Sequence, residues 1–313
     1  MRPLRGVRIE ARAKLNLGLA VGPQRADGFH ELATVFQSVS LADTLVVRPR
    51  RAGFTLAVRH GDAALRHPGA RRARYAHAPA GRSNLVLRAA RLLAGRHVMP
   101  GGAAFTLIKR IPLEAGLGGG SADAAAALVG LARLYGIRLE RGERLALALE
   151  LGSDVPFAMV GGTAVGFGRG ERLRRARLER GFRVLIAKPE WGIPTAQAFR
   201  RIDVCKYDLT AWKAKLRFAQ SLARDGLNPR GPLRLGNTFE QVLGDRTREF
   251  ESLCGRLRAC GLEEPRMTGS GSAVFAIVPR GVPMALAAAR FEGRERLFAS
   301  RTVARALRVS LLR

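Results

Sequence analysis

Cysteine is nearly absent from this 313-residue chain: Cys205, Cys254 and Cys260, odd in number and without Cys-x-x-Cys spacing. All five histidines lie at or before position 97. Such a set argues against a zinc site or a disulfide framework and suits a reducing compartment. Aromatic residues make up only 6%, so stacking platforms for nucleic-acid bases are scarce, and no RNA-recognition or zinc-finger signature occurs. No apolar run reaches the roughly 18 residues needed to span a bilayer. Residues 1–12 are too short and polar for a signal peptide, which leads us to expect a cytoplasmic protein without a membrane partner. Lysine is rare as well. Of 54 basic side chains only six are Lys, at 14, 109, 188, 206, 213 and 215.

The formal net charge of +29 invites a nucleic-acid hypothesis. The arginines are spread through the whole chain, however, so we expect no specific nucleic-acid partner and only incidental polyanion affinity. Hydrophobic content of 47% is normal for a globular protein, and the length suits one large domain or two ordinary ones.

The stretch that organises the chain runs from Pro112 to Leu128, PLEAGLGGGSADAAAAL. An apolar segment, Ala104 to Ile108, leads into Gly116, Gly118, Gly119 and Gly120, and an Ala-rich helix is expected from about Ser121 to Tyr135. Glycines let backbone N–H groups approach an anion, and the first helical turn adds free donors and the positive end of its dipole. A nucleotide phosphate is the expected ligand. A P-loop would need Lys and then Ser or Thr after the last Gly, but Ser121 follows Gly120 directly. A dinucleotide fingerprint would need Gly or Ala where Ser121 or Asp123 stands.

Elsewhere the pattern is coarser. Residues 9–19 alternate, with Ala13, Leu15, Leu17 and Leu19 on one face and Lys14 and Asn16 on the other, as in a strand presenting a cation and an amide to a cleft or to solvent. A turn at Asp27-Gly28 precedes Phe29 and His30 and a second strand-like run, 33–39. Residues 48–82 show little periodicity and read as edge strands and a solvated loop around 68–82. Residues 83–93 form a capped amphipathic helix in which Asn84 suits an N-cap. Asp154, before Val155 and Pro156, is either another helix cap or a catalytic carboxylate. A strand at 183–188, a helix opening at 195–199, a mostly helical span from 209 to 262 containing Asn237, and a Gly-rich turn feeding a buried strand at 267–277 complete the reading.

The loop Pro-x-x-x-Gly-Leu-Gly-Gly-Gly-Ser-Ala resembles that of the small-molecule kinase superfamily that includes galactokinase, homoserine kinase and mevalonate kinase (GHMP). Residues 13–17 (AKLNL), 25–32 (RADGFHEL) and 43–45 (DTL) resemble the opening of the 4-diphosphocytidyl-2-C-methyl-D-erythritol kinase family within it. The resemblance implies a two-domain α+β fold, with an N-terminal ribosomal-protein-S5-domain-2-like domain (1–168) and a C-terminal ferredoxin-like α/β domain (181–313). It further implies ATP-dependent phosphorylation of a cytidine-diphosphate-linked methylerythritol, with Mg²⁺ accompanying ATP. Lys14 and Asp154 become the catalytic pair. Asn84, Leu117, Gly118, Gly119, Gly120 and Ser121 become nucleotide contacts, Ser121 also being a candidate for the metal. Asn16, Phe29, His30 and Phe199 become acceptor contacts. Ser153 stands where the family usually has Ala. The partner is a small-molecule substrate, and a homodimer is compatible with the sequence. A homoserine or mevalonate-type kinase shares the loop but does not need the 27–32 segment, and a nucleic-acid-binding protein is the competing class.

Overall fold

The computed structural model describes residues 5–67, 69, 79, 81–204, 208–228 and 231–312. Cys205 and Lys206 lie outside them, as does most of the loop expected around 68–82.

Two long antiparallel strands form the spine: β1 (Gly6–Gln24) and β2 (His30–Arg50). Their connection is the expected Asp27-Gly28 turn, in which Gly28 takes φ +79° and Asp27 Oδ1 accepts the Phe29 amide at 3.1 Å. β3 (Phe54–His60), α1 (Leu85–Ala94) and β4 (Gly102–Lys109) follow; β3 and β4 are parallel, and β4 pairs with β2. After them come α2 (Gly119–Tyr135), α3 (Arg141–Leu151) and α4 (Val155–Val160). The hairpin of β5 (Thr163–Gly168) and β6 (Arg172–Arg175) then pairs with the other half of β2.

The chain next builds a second, four-stranded sheet, in the order β10 (Arg296–Arg301), β7 (Arg183–Lys188), β9 (Val274–Val278), β8 (Glu263–Met267). Its helices are α5 (Thr195–Asp203), α6 (Leu209–Asp225), α7 (Thr247–Ala259) and α8 (Met284–Ala289). The span expected to be mostly helical is interrupted between α6 and α7 by three 3-10 turns. The cause is local: Gly226, Gly236 and Gly244 all take positive φ, and Asn237 caps a turn by accepting the Phe239 amide instead of sitting inside a helix. The last strand, β11 (Leu307–Leu312), returns to pair with β1. A division into domains at 1–168 and 181–313 is therefore our proposal, with β11 crossing it.

The apolar residues fall into distinct cores. Val7, Ile9, Ala11, Leu45 and Val47 pack beneath α1, α2 and α3. Leu15, Leu17, Val35 and Val39 instead pack against Val184, Ile186, Phe275 and Phe298 of the second sheet. Each fully buried side chain of this size contributes about 1.5–3 kcal/mol. β1 changes core between Ala11 and Ala13, where its pairing with β2 slips between Arg12 and Lys14. A bulge of this kind reverses the alternation and re-aims the following side chains, so Lys14 and Asn16 point inward. α2 is buried along most of its length, as its apolar sequence predicts. It lies so close to the sheet that a Cβ on Gly130 would come within 2.8 Å of both Ile9 and Val47.

Candidate active site

Between the spine, the glycine loop and the second sheet lies a cavity of about 630 Å³. Its centre is the Lys14 ammonium, which donates to Asn16 Oδ1 at 2.6 Å and pairs with Asp154 Oδ2 at 3.3 Å. Asn16 is fixed in turn: its Nδ2 donates to Thr34 Oγ1 at 2.7 Å, and its backbone amide donates to Thr268 Oγ1 at 2.9 Å. The strand bulge, Asn16 and Thr34 thus leave the ammonium little rotational freedom.

Asp154 occupies the N-cap position of α4, yet its side chain makes no capping bond. The carboxylate turns toward Lys14 and stays 34% exposed to the cavity. Of the two readings the sequence left open, the capping one therefore has no hydrogen bond behind it. Ser153 lines the cavity beside it.

The glycine loop is held from behind. Gly116 (φ +71°) passes so close to Thr268 O that a Cβ would lie 1.9 Å from it, and a Cβ on Gly118 (φ +68°) would lie 2.9 Å from Lys14 Cγ. The Leu117 side chain is buried, and its carbonyl accepts the Lys14 amide at 3.0 Å. α2 begins at Gly119 with no side-chain cap and no acidic residue in its first turn. The amides of Gly119, Gly120 and Ser121 are left as donors beside a positive helix end, the arrangement that binds phosphate.

Beneath the loop lies a buried charge cluster. Lys109 donates to Asp43 and, at 2.8 Å, to Asp123 Oδ2 in α2. Asp43 Oδ1 also accepts the amides of Arg110 and Ile111. One cation cannot hold two buried carboxyls ionised. Burial raises the Asp123 carboxyl to about 8, which the Lys109 charge only partly offsets. Asp123 Oδ1 has no hydrogen-bond partner among the described residues.

At the opposite end stand Phe29, His30, Phe199 and Phe239. His30 and Phe199 stack at 5.3 Å, and Phe199 meets Phe239 edge-on at 5.0 Å. Both ring nitrogens of His30 face acceptors, Gly22 O and Asp203 Oδ1, each at 2.8 Å. Its edge is thus committed to the protein, and the ring helps to fix Phe199. Phe29 is 49% exposed at the mouth. The cavity therefore brings together every expected residue except one. Asn84 caps α1, accepting the Val86 amide at 2.9 Å and donating to Pro79 O at 2.6 Å, and does not line the cavity.

Sequence reasoning gave no site role to Thr34, Thr268, Asn237, Asp203, Arg169 or the Asp43–Lys109–Asp123 cluster. Asn237 Nδ2 ties the carbonyls of Met267 and Gly269 at 2.9 Å each, shaping the turn behind the glycine loop. One signal was in reach, since Lys109 and Lys188, like Lys14, are lysines in an arginine-rich chain. Lys188 donates to Pro189 O and Trp191 O, and burial lowers its ammonium to about 8.

The GHMP kinases N terminal domain family matches residues 84–162. The 4-diphosphocytidyl-2-C-methyl-D-erythritol kinase of Pelotomaculum thermopropionicum is 39% identical over 85% of this chain and 87% of its own length. The chain belongs to the 4-diphosphocytidyl-2-C-methyl-D-erythritol kinase family. Its counterpart from Moorella thermoacetica is 37% identical over 87% of this chain and 90% of its own. A crystal structure of 4-(cytidine 5'-diphospho)-2C-methyl-D-erythritol kinase superposes with a TM-score of 0.70 at 35% identity, covering 94% of this chain and 98% of that one. A mevalonate kinase at 12% identity and TM-score 0.68 shares the kinase fold alone. The glycine loop and the start of α2 line one end of the cavity and the aromatic wall lines the other.

Proposed function

We propose that this chain transfers the terminal phosphoryl group of ATP to the 2-hydroxyl of 4-diphosphocytidyl-2-C-methyl-D-erythritol, giving the 2-phosphate and ADP on the route to isoprenoid precursors. ATP use comes with the GHMP kinase family. The observation that carries the reading is the Lys14–Asp154 pair, which stands between a helix-end phosphate cradle and an aromatic wall. Phosphoryl transfer asks for in-line placement, donors on the moving oxygens and an acceptor relieved of its proton. The amides of 119–121 hold the phosphate, the Lys14 ammonium stabilises developing oxygen charge, and Asp154 takes the acceptor proton. Asn16 orients Lys14 through Oδ1, with one lone pair left for the acceptor. Phe29, Phe199 and the His30 ring frame the cytosine. Asn84 sits at the start of α1, whose Leu85 Cδ1 would lie 3.4 Å from a Cβ on Gly120, so its part in nucleotide binding is to hold this helix end beside the loop.

Among the described residues no cluster of three metal-binding side chains occurs. Ser121 and Asp154 both line the cavity that holds the glycine loop, and their oxygens would fit a Mg²⁺ delivered with its nucleotide and keeping most of its waters. Bound there, the ion neutralises phosphate charge. No helix among the described residues is long and apolar enough to cross a membrane.

The test is ADP release measured with and without the cytidylyl acceptor, beside homoserine and mevalonate. Acceptor-dependent turnover restricted to the cytidylyl compound is expected. ATP hydrolysis indifferent to it, or an equal rate with homoserine, overturns the reading.

A further inference from the structure

Residues 236–240 touch no reacting group, yet they join the two ends of the cavity. On one side they grip β1: the Leu19 amide donates to Gly236 O at 2.8 Å and the Val21 amide to Thr238 Oγ1 at 3.1 Å. On the other they grip the turn at 267–269. Asn237 Nδ2 donates to Met267 O and Gly269 O, at 2.9 Å each, and Glu240 Oε1 accepts the Met267 amide at 2.8 Å. Asn237 Oδ1 meanwhile accepts the Phe239 amide at 3.0 Å, which sets the ring that meets Phe199 edge-on.

The 267–269 turn is what the catalytic pair rests against. Thr268 Oγ1 accepts the Asn16 amide at 2.9 Å and donates to Gly116 O at 3.3 Å, joining the strand of Lys14 to the glycine loop. Gly269 (φ +59°) passes so close that a Cβ there would lie 3.4 Å from Lys14 Nζ and 3.1 Å from Gly116 O. Asn237 and Thr268 are both buried, so a bond that either loses leaves a buried polar group unpaired. Both amide hydrogens of Asn237 are spent on carbonyls, which an oxygen in their place would repel.

We propose that Asn237 is a positioning residue for the transfer: through the 267–269 turn it sets Lys14 and Asn16 against the glycine loop, and through Phe239 it ties that setting to the aromatic wall. The proposal rests on the Lys14–Asp154 reaction assigned above. The fault it predicts lies in kcat and not in nucleotide binding, because the start of α2 is anchored separately, through Asp123 and Lys109.

The test combines kinetics with amide hydrogen exchange resolved by NMR. Asn237→Asp keeps the shape and the acceptor for the Phe239 amide but turns two donated bonds into repulsions. Its turnover with the cytidylyl acceptor should fall about tenfold to a hundredfold, the cost of a displacement of up to about 1 Å at the reacting groups, while the KM for ATP stays within about threefold. Thr268→Val should reproduce the loss, and Thr268→Ser, which keeps the hydroxyl, should stay within about threefold of wild type. Exchange reads the wiring without turnover. In Asn237→Asp and Thr268→Val the Asn16 amide should exchange at least about tenfold faster, and the amides of Arg110 and Ile111, held by Asp43, should not change. Wild-type turnover in Asn237→Asp or in Thr268→Val would overturn the proposal. So would exchange that accelerates equally at all three amides, the mark of a residue that only stabilises the fold. Should Asn237→Asp fail to fold, a difference in turnover between Thr268→Val and Thr268→Ser supports the proposal and its absence overturns it. A wild-type chain that transfers no phosphoryl group refutes the reaction, and the exchange pattern then decides the wiring by itself.

Discussion

Replacing Asp154 by Asn separates chemistry from structure, because the side chain has little structural work to lose. It makes no capping bond, and its one ionic partner among the described residues is Lys14 at 3.3 Å, with the carboxylate 34% exposed. Pairs that open to solvent are typically worth about 0–1 kcal/mol, and Asn can still accept from the ammonium. At roughly 2–4 °C per kcal/mol for a protein of this size class, the melting temperature should move by no more than a few degrees. Catalysis should respond differently. General-base assistance is worth about 10²–10⁴ in rate, or roughly 3–5 kcal/mol at 1.36 kcal/mol per tenfold. Phosphoryl transfer passes through a loose transition state in which the acceptor proton moves late, which places the expected loss toward the lower end, about 10²–10³. The assay is coupled ADP release at saturating ATP and acceptor, run beside a thermal melt on the same preparation. Near-normal turnover with a clearly lowered melting point would refute the assignment and restore the capping role.

Three other outcomes follow from the same geometry. Lys14→Arg should cost about a hundredfold or more in turnover with ATP affinity largely kept, because a wider guanidinium displaces Asp154 by something near 1 Å; full activity in a kinetic assay would remove Lys14 from the mechanism. Gly118→Ala should destabilise by about 1–2 kcal/mol, since its φ is +68°. The new methyl, 2.9 Å from Lys14 Cγ, should also lower kcat/KM, so steady-state kinetics indistinguishable from wild type would contradict the close approach. Asp123→Asn tests the buried cluster by pH. The carboxyl stands at about 8 in the fold against 3.8 for the unperturbed group, so the native chain holds an extra proton between those values. The corresponding stabilisation is complete below about pH 4 and lost as pH rises toward 8, at up to roughly 1.4 kcal/mol per unit. Denaturant melts from pH 5 to 8 should show the variant gaining on wild type as pH rises, and parallel curves would mean that Asp123 is ionised throughout.

The kinase character of this chain was legible without coordinates because it is written locally. Gly116 to Gly120 can serve one kind of turn, an Ala-rich helix must be buried, and Asp27-Gly28 closes a hairpin whatever surrounds it. The same locality explains what could not be read. Whether Asn84 and Asp154 act as caps or as ligands depends on where their side chains turn. Asn84 turned inward to its own helix and Asp154 turned away toward a lysine 140 positions earlier in the chain. The alternation of Lys14 and Asn16 left a cleft and solvent both open, and the bulge after Arg12, a property of the pairing between β1 and β2, sends them inward. His30 was expected as an acceptor contact, and only the fold shows Gly22 O and Asp203 Oδ1 facing both of its nitrogens. Arg169 was one arginine among many, and its place over the Phe29 ring at the cavity mouth depends on how the β5–β6 hairpin meets the 25–31 turn. Residue type and short spacing thus determined the elements, the phosphate cradle and the class of chemistry. Long-range pairing alone decided which polar groups were already satisfied and which were left to meet a ligand.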